Sequence, residues 1–313
     1  MVENKLLQRI NTKFELIPNH KELEALIKQG GKIEYTKYTI TGLYSSTRIK
    51  SFIKDKEKFN VHVKELQDII NVFGDETIFS PVISMKAVNK QTAEIFIQLQ
   101  IDAGFKNISI IEPDIHQNGQ SSSNFFKNKL DLKELKNKNI IPFLSLAMQG
   151  KYLLSNKLKA MKILGFNLVN ISFTGYYKYR DNLLLILGAI GKEYPDALIS
   201  CVWSRVNKTS CPPLTALYNP RYVSSGYKWG ASNKKDKNVE ILDEDKIEFY
   251  SLSKTEKTEM KTNLQLTSDD DLIAYLKAES FIKNKRIIDK LSKLEQEKLN
   301  ELIKTKEALM SFF

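Results

Sequence analysis

The sequence predicts an α/β fold, a (β/α)8 TIM-like barrel with helical additions at both ends, and three observations lead there. Apolar, strand-like runs without polar alternation recur along the chain, the pattern of strands buried on both faces of a parallel sheet. Between them lie amphipathic stretches closed by glycine, the residue best suited to a left-handed helix stop. Strand candidates reach eight, and no G-x-G-x-x-G or G-x-x-x-x-G-K-[ST] follows any of them, which favours a closed barrel over a dinucleotide-binding or P-loop sheet. The expected organisation is an N-terminal helical segment over 1–31, the barrel over 32–267 and a C-terminal helical segment over 268–313.

Residues 2–29 suggest one or two short helices, the second starting after the turn-forming Pro18-Asn19 pair and ending at Gly30-Gly31. Residues 32–41 are rich in β-branched and aromatic residues and give the first strand. The turn 42–48 and a charged helical stretch follow, stopped at Gly74-Asp75. Then strand 77–84, helix 90–103 closed by Gly104, and strand 107–112 set a regular rhythm. Strand 140–147, helix 155–164, strand 168–173, helix 182–190 and strand 197–203 continue it, with weaker strands at 221–225 and 246–251. The segments 115–128 and 207–220 are long and polar enough for lids. From Ser268 an acidic first turn opens a helical tail with apolar residues at three and four spacing, packed on the barrel or on a partner.

A chain of 313 residues buries a full core without disulfide or metal staples. Only Cys201, Cys211, His20, His62 and His116 are present, with no CxxC or HExxH spacing, so no metal site is expected and the thiols read as reduced and cytoplasmic. No apolar run approaches the length of a membrane span, and no membrane partner is expected. The formal charge is +11, and the tail from Ser268 is balanced, so the excess falls on the first 267 residues and is compatible with a phosphate-binding face.

Reactive groups of parallel barrels sit at the carboxyl ends of strands. There the sequence offers the turn Tyr44 to Arg48, the acidic pair in Glu112-Pro113-Asp114, the amide of Gln149 beside Gly150, and Thr174-Gly175. The pair Glu112 and Asp114 is held at a proline-fixed turn, where two carboxylates can differ in protonation. Gln149 carries both donor and acceptor, suited to the edge of a base. Tyr177, Lys178 and Arg180 interleave an aromatic with cations at one strand end, and Arg205 and Lys228 lie after later strands. Aromatics stack bases while cations hold phosphates, so these five are candidates for nucleic-acid contact.

The order of these strand ends resembles the tRNA-guanine transglycosylases and their DNA-acting deazaguanine relatives, over roughly residues 32–251. In that family a strand of the type M-V-L-D-E ends in a base-recognising carboxylate, and Ile-Ile-Glu112-Pro-Asp114 is similar. Met148-Gln149-Gly150 is similar to its V-Q-G, and Phe173-Thr174-Gly175 to its G-G-L turn, with threonine for the first glycine. The resemblance implies a guanine or deazaguanine base as ligand, tRNA or DNA as its carrier, no cofactor, and pentosyltransferase chemistry at the N-glycosidic bond. The counterpart of the family's D-S-G-G-F turn is Tyr44-Ser45-Ser46, without an acid, and serines stand near 222–226 where the nucleophilic aspartate falls. The zinc motif C-x-C-x-x-C is missing. Two alternatives therefore stand beside base exchange. One is a catalytically degenerate subunit, homodimeric or with a heteromeric partner, in a nucleic-acid-modification or antiviral defence complex. The other is a flavin-dependent barrel similar to methylenetetrahydrofolate reductase, suggested by Phe14-Glu15 and Ser45-Ser46-Thr47-Arg48.

Overall fold

The computed structural model describes residues 15–30, 37–83, 88–111, 133–145, 157–159, 161–173, 198–201, 222–225, 240–246, 248–295, 297–298 and 301. The first described element is a strand, β1 (Glu15–Ile17), in a stretch whose pattern suggests helix. Helix α1 (His20–Lys28) follows at once because Asn19 and Glu22 form a capping box. The Asn19 side chain accepts from the Lys21 and Glu22 amides, while the Glu22 carboxylate accepts from the Asn19 N–H at 2.9 Å.

Strands β2 (Tyr38–Ile40) and β3 (Leu43–Tyr44) are two parts of one extended segment interrupted at Thr41 and Gly42. They pair in parallel with β4 (Thr77–Phe79) and β5 (Val82–Ile83) respectively. Between them run α2 (Ser46–Lys54), capped by Ser45, and α3 (Lys56–Phe73), capped by Asp55. Helix α4 (Lys90–Ala103) begins at the Asn89 cap and stops at Gly104, whose φ of 86° places it in the left-handed region.

Five further strands, β6 (Asn107–Ile111), β7 (Asn139–Ser145), β8 (Asn170–Phe173), β9 (Leu198–Cys201) and β10 (Tyr222–Ser225), form one sheet with β1. Its order is β1-β10-β9-β8-β7-β6, and every pairing is parallel. The end of β1 also reaches β2, through a parallel bridge of Asn19 to Thr39 and a hydrogen bond from the Thr39 N–H to the Pro18 carbonyl at 2.9 Å.

This sheet curls strongly. The Asn170 side-chain amide on β8 donates to the Phe79 carbonyl on β4 at 3.3 Å, although β7 and β6 both lie between β8 and β4, which packs beside β6. On a flat sheet three strand spacings would put these groups about 14 Å apart. Ile17 of β1, Ile78 of β4 and Ile141 of β7 likewise share one buried cluster, to which Leu168 adds. Residues of β1, β4 and β7 thus share one buried layer.

Between β4 and β6 side chains replace the backbone ladder. The Lys106 carbonyl accepts from the Asn139 N–H, so Ser109, three residues on, turns its peptide groups away from β7. Those groups meet the wholly buried Gln100 of α4. Its Oε1 accepts from the Ser109 N–H at 2.6 Å, and its Nε2 donates to the Ser109 carbonyl at 2.9 Å and to the Phe96 carbonyl at 2.8 Å. Asn107 closes the same seam by donating to the Thr77 carbonyl at 3.2 Å. On the helix side Tyr44, Phe79, Phe96 and Phe105 meet edge to face, with ring centroids 5.2 to 5.9 Å apart for Tyr44 with Phe96 and Phe79 with Phe105.

The strand expected over 246–251 exists as β12 (Glu248–Ser251), but it does not join the parallel sheet. It pairs antiparallel with β11 (Glu240–Asp243) in a hairpin whose turn is held by Asp243, which accepts from the Asp245 and Lys246 amides at 3.0 Å each. With α5 (Lys254–Asn263) and α6 (Asp269–Ser292) the hairpin builds a small core of Ile241, Leu252, Leu272 and Leu276. Helix α6 starts as the sequence suggests, at a Ser268 cap followed by Asp269, Asp270 and Asp271, and packs along α1.

Candidate functional site

Because every strand of the main sheet runs the same way, the carboxyl ends Ile111, Ser145, Phe173, Cys201, Ser225 and Ile17 follow one another along one edge. The register sets Ser145 beside Ser172, Ser172 beside Ser200, Ser200 beside Ser224, and Ser224 beside Ile17. One serine thus stands on each of four adjacent strands in a single row near that edge.

The expected site residues come just beyond these strand ends. Glu112 follows Ile111 directly and Thr174 follows Phe173 directly, while Gln149 comes four residues after Ser145. Glu112, Asp114, Gln149, Gly150, Thr174 and Gly175 themselves lie outside the described residues, as do Tyr177, Lys178, Arg180, Arg205 and Lys228.

The described side chains near this edge come from the start of α1 and from the segment that carries β2 and β3. His20, at the start of α1, is buried, and its Nδ1 accepts from the Thr41 N–H at 3.4 Å. Burial, with the Lys21 charge beside it, pushes this imidazole down to about 4, so it is neutral near pH 7. Thr41 is also buried, and its hydroxyl has no hydrogen-bond partner among the described residues.

Two residues past Gly42, Tyr44 opens a polar network that runs outward between α2 and α3. Its wholly buried hydroxyl lies 2.7 Å from His62 Nε2, and His62 Nδ1 lies 2.8 Å from a carboxylate oxygen of Glu65, which is exposed. Arg48 leans over the Tyr44 ring, 4.9 Å from its centroid, donates to the Leu43 carbonyl at 2.9 Å, and sets Nη2 3.1 Å from His62 Nδ1. Phe52 stacks on the His62 ring, centroids 5.2 Å apart. No carboxylate is within ion-pair distance of Arg48 among the described residues. Burial holds the His62 imidazole below its ordinary value, with the Glu65 hydrogen bond opposing and the Arg48 charge assisting. Burial also raises the Tyr44 phenol well above its ordinary value, so it is a neutral hydrogen-bonding group.

The sequence singles out the Tyr44 to Arg48 turn but not His62, which sits in a charged helical stretch. A histidine three residues before a glutamate on one helix face was the available signal. Among the described residues no group of three or more His, Cys, Asp or Glu could hold a metal ion, and no helix is long and apolar enough to cross a membrane. No family model matches the chain, and no curated protein matches it.

Proposed function

We propose that the chain is an eight-stranded (β/α) barrel of transglycosylase-like form whose carboxyl mouth binds a guanine or deazaguanine base. Glu112 or Asp114 reads the polar edge of that base, and Gln149, Gly150, Thr174 and Gly175 complete the pocket. Tyr177, Lys178, Arg180, Arg205 and Lys228 hold the tRNA or DNA that carries it, in the cytoplasm.

The observation that carries this reading is the adjacency of β6, β7 and β8, the three strands that precede the three motifs. They are parallel neighbours, so the ends Ile111, Ser145 and Phe173, which the three motifs follow in sequence, lie along one edge. Closure into a barrel is supported by the bridge from β1 to β2, the β2 pairing with β4, the side-chain seam to β6, and the interior layer of Ile17, Ile78 and Ile141.

Calorimetry with guanine and a 7-deazaguanine tests the binding, and incorporation of labelled guanine into tRNA or DNA tests the exchange. Glu112→Gln is expected to weaken base binding by about tenfold or more, the scale of a hydrogen bond to a charged group. Absence of binding to either base, together with absence of exchange, overturns the reading.

A second reading, a subunit that binds without exchanging, is favoured by β10. Its sequence Tyr222-Val-Ser-Ser contains no carboxylate residue in the strand on which the nucleophile is expected. Base binding without incorporation, and activity of a co-purifying partner that depends on this chain, would select it.

A further inference from the structure

His62 is claimed by more partners than one protonation state can serve. Tyr44 stands at Nε2, while Glu65 and Arg48 both stand at Nδ1, at 2.8 and 3.1 Å. Glu65 needs a proton on Nδ1, whereas an Arg48 N–H needs a lone pair there. The buried Tyr44 hydroxyl decides between them for the neutral ring. If Nε2 carried the proton it would donate to Tyr44, whose own O–H would then be left without an acceptor in a site closed to water. Tyr44 therefore donates to Nε2, Nδ1–H donates to Glu65, and Arg48 is held by the Leu43 carbonyl and by its position over the Tyr44 and Phe52 rings.

A second proton changes every one of these relations. Both ring nitrogens become donors, the Tyr44 hydroxyl loses its acceptor, and the Arg48 guanidinium faces an imidazolium at hydrogen-bond distance. Only the Glu65 contact gains. Tyr44 from β3, Arg48 from α2 and Glu65 from α3 are the ionisable groups that face the ring among the described residues. We propose that His62 is a proton-operated latch: the neutral ring leaves Arg48 seated on the Leu43 carbonyl at the end of β3, and the protonated ring repels it and loosens the turn from Thr41 to Arg48. Because β3 continues β2 at the carboxyl edge, the latch sets the shape of that edge with pH.

The test is a pH titration of the full chain labelled with 13C and 15N at histidine and arginine, followed by NMR. At neutral pH His62 is expected as the Nδ1–H tautomer. Below the ordinary histidine range its protonation is expected to coincide with exposure of the Arg48 guanidinium, read as faster proton exchange with the same midpoint. Arg48→Gln is expected to raise the His62 midpoint by about one unit and Glu65→Gln to lower it by a similar amount, the scale of a single nearby charge. An Nε2–H tautomer at neutral pH, or an Arg48 signal indifferent to the His62 titration, overturns the proposal. Both readouts use the unsubstituted protein and survive a variant that fails to fold.

Discussion

Replacing Gln100 by methionine is expected to open the seam between β4 and β6. The two side chains have similar length, so the substitution removes hydrogen bonds without leaving a large void. Three contacts go at once: acceptance from the Ser109 N–H at 2.6 Å, and donation to the Ser109 and Phe96 carbonyls at 2.9 and 2.8 Å. The Phe96 carbonyl keeps its helical role, but the Ser109 N–H and C=O lose their partner in a fully buried position. Each orphaned group costs about 1 to 3 kcal/mol, and burying an apolar side chain returns part, for a net loss of about 2 to 5 kcal/mol. Urea unfolding gives the midpoint shift at constant slope, and hydrogen exchange at the Ser109 amide reports the seam itself. A loss under about 0.5 kcal/mol with unchanged Ser109 protection would refute the assignment of Gln100 as the surrogate strand.

Three other outcomes are expected. His20 is held at about 4 in the folded chain against an ordinary 6.5, so its contribution is fully present above pH 6.5 and is lost as pH falls toward 4. His20→Asn keeps an acceptor for the Thr41 N–H and should remove about 3 kcal/mol of the acid-side loss, read from unfolding free energies at pH 7 and pH 4. Gly104→Ala should cost about 1 to 2 kcal/mol through backbone strain alone, since φ is 86° and a Cβ there meets nothing within 4 Å; thermal unfolding checks this. Leu272→Ala empties the centre of the C-terminal core and should cost about 2 to 5 kcal/mol, with faster proteolysis near β11 and β12 as a local readout.

Elements set by local chemistry were legible in the sequence. The helix start after Pro18-Asn19, the Gly104 stop and the acidic turn after Ser268 each rest on a few neighbouring residues, and each appears where the pattern placed it. β12 was legible as a strand but not by partner: the Asp-Glu-Asp turn three residues before it marks a hairpin, and the strand count outweighed that signal. β1 was missed because three residues beside a strong helix cap give too little periodicity, while its partner β10 lies far along the chain. The Gln100 seam and the His62 network were illegible for a related reason. A buried amide that serves Ser109, or a histidine that serves Tyr44, reads as an ordinary polar helix position until the tertiary neighbours are known.

The pairing of β1 with β10 also bears on how the protein is made. Glu15 is registered against Tyr222, so the first strand leaves the ribosome long before its principal neighbour exists. Helix α1 waits longer still, since α6, the element it packs along, spans Asp269–Ser292. A nascent chain halted before Tyr222 therefore carries an unsatisfied strand edge at β1 and an uncovered face on α1. Such chains should be the ones that chaperones capture, and release should follow synthesis of α6.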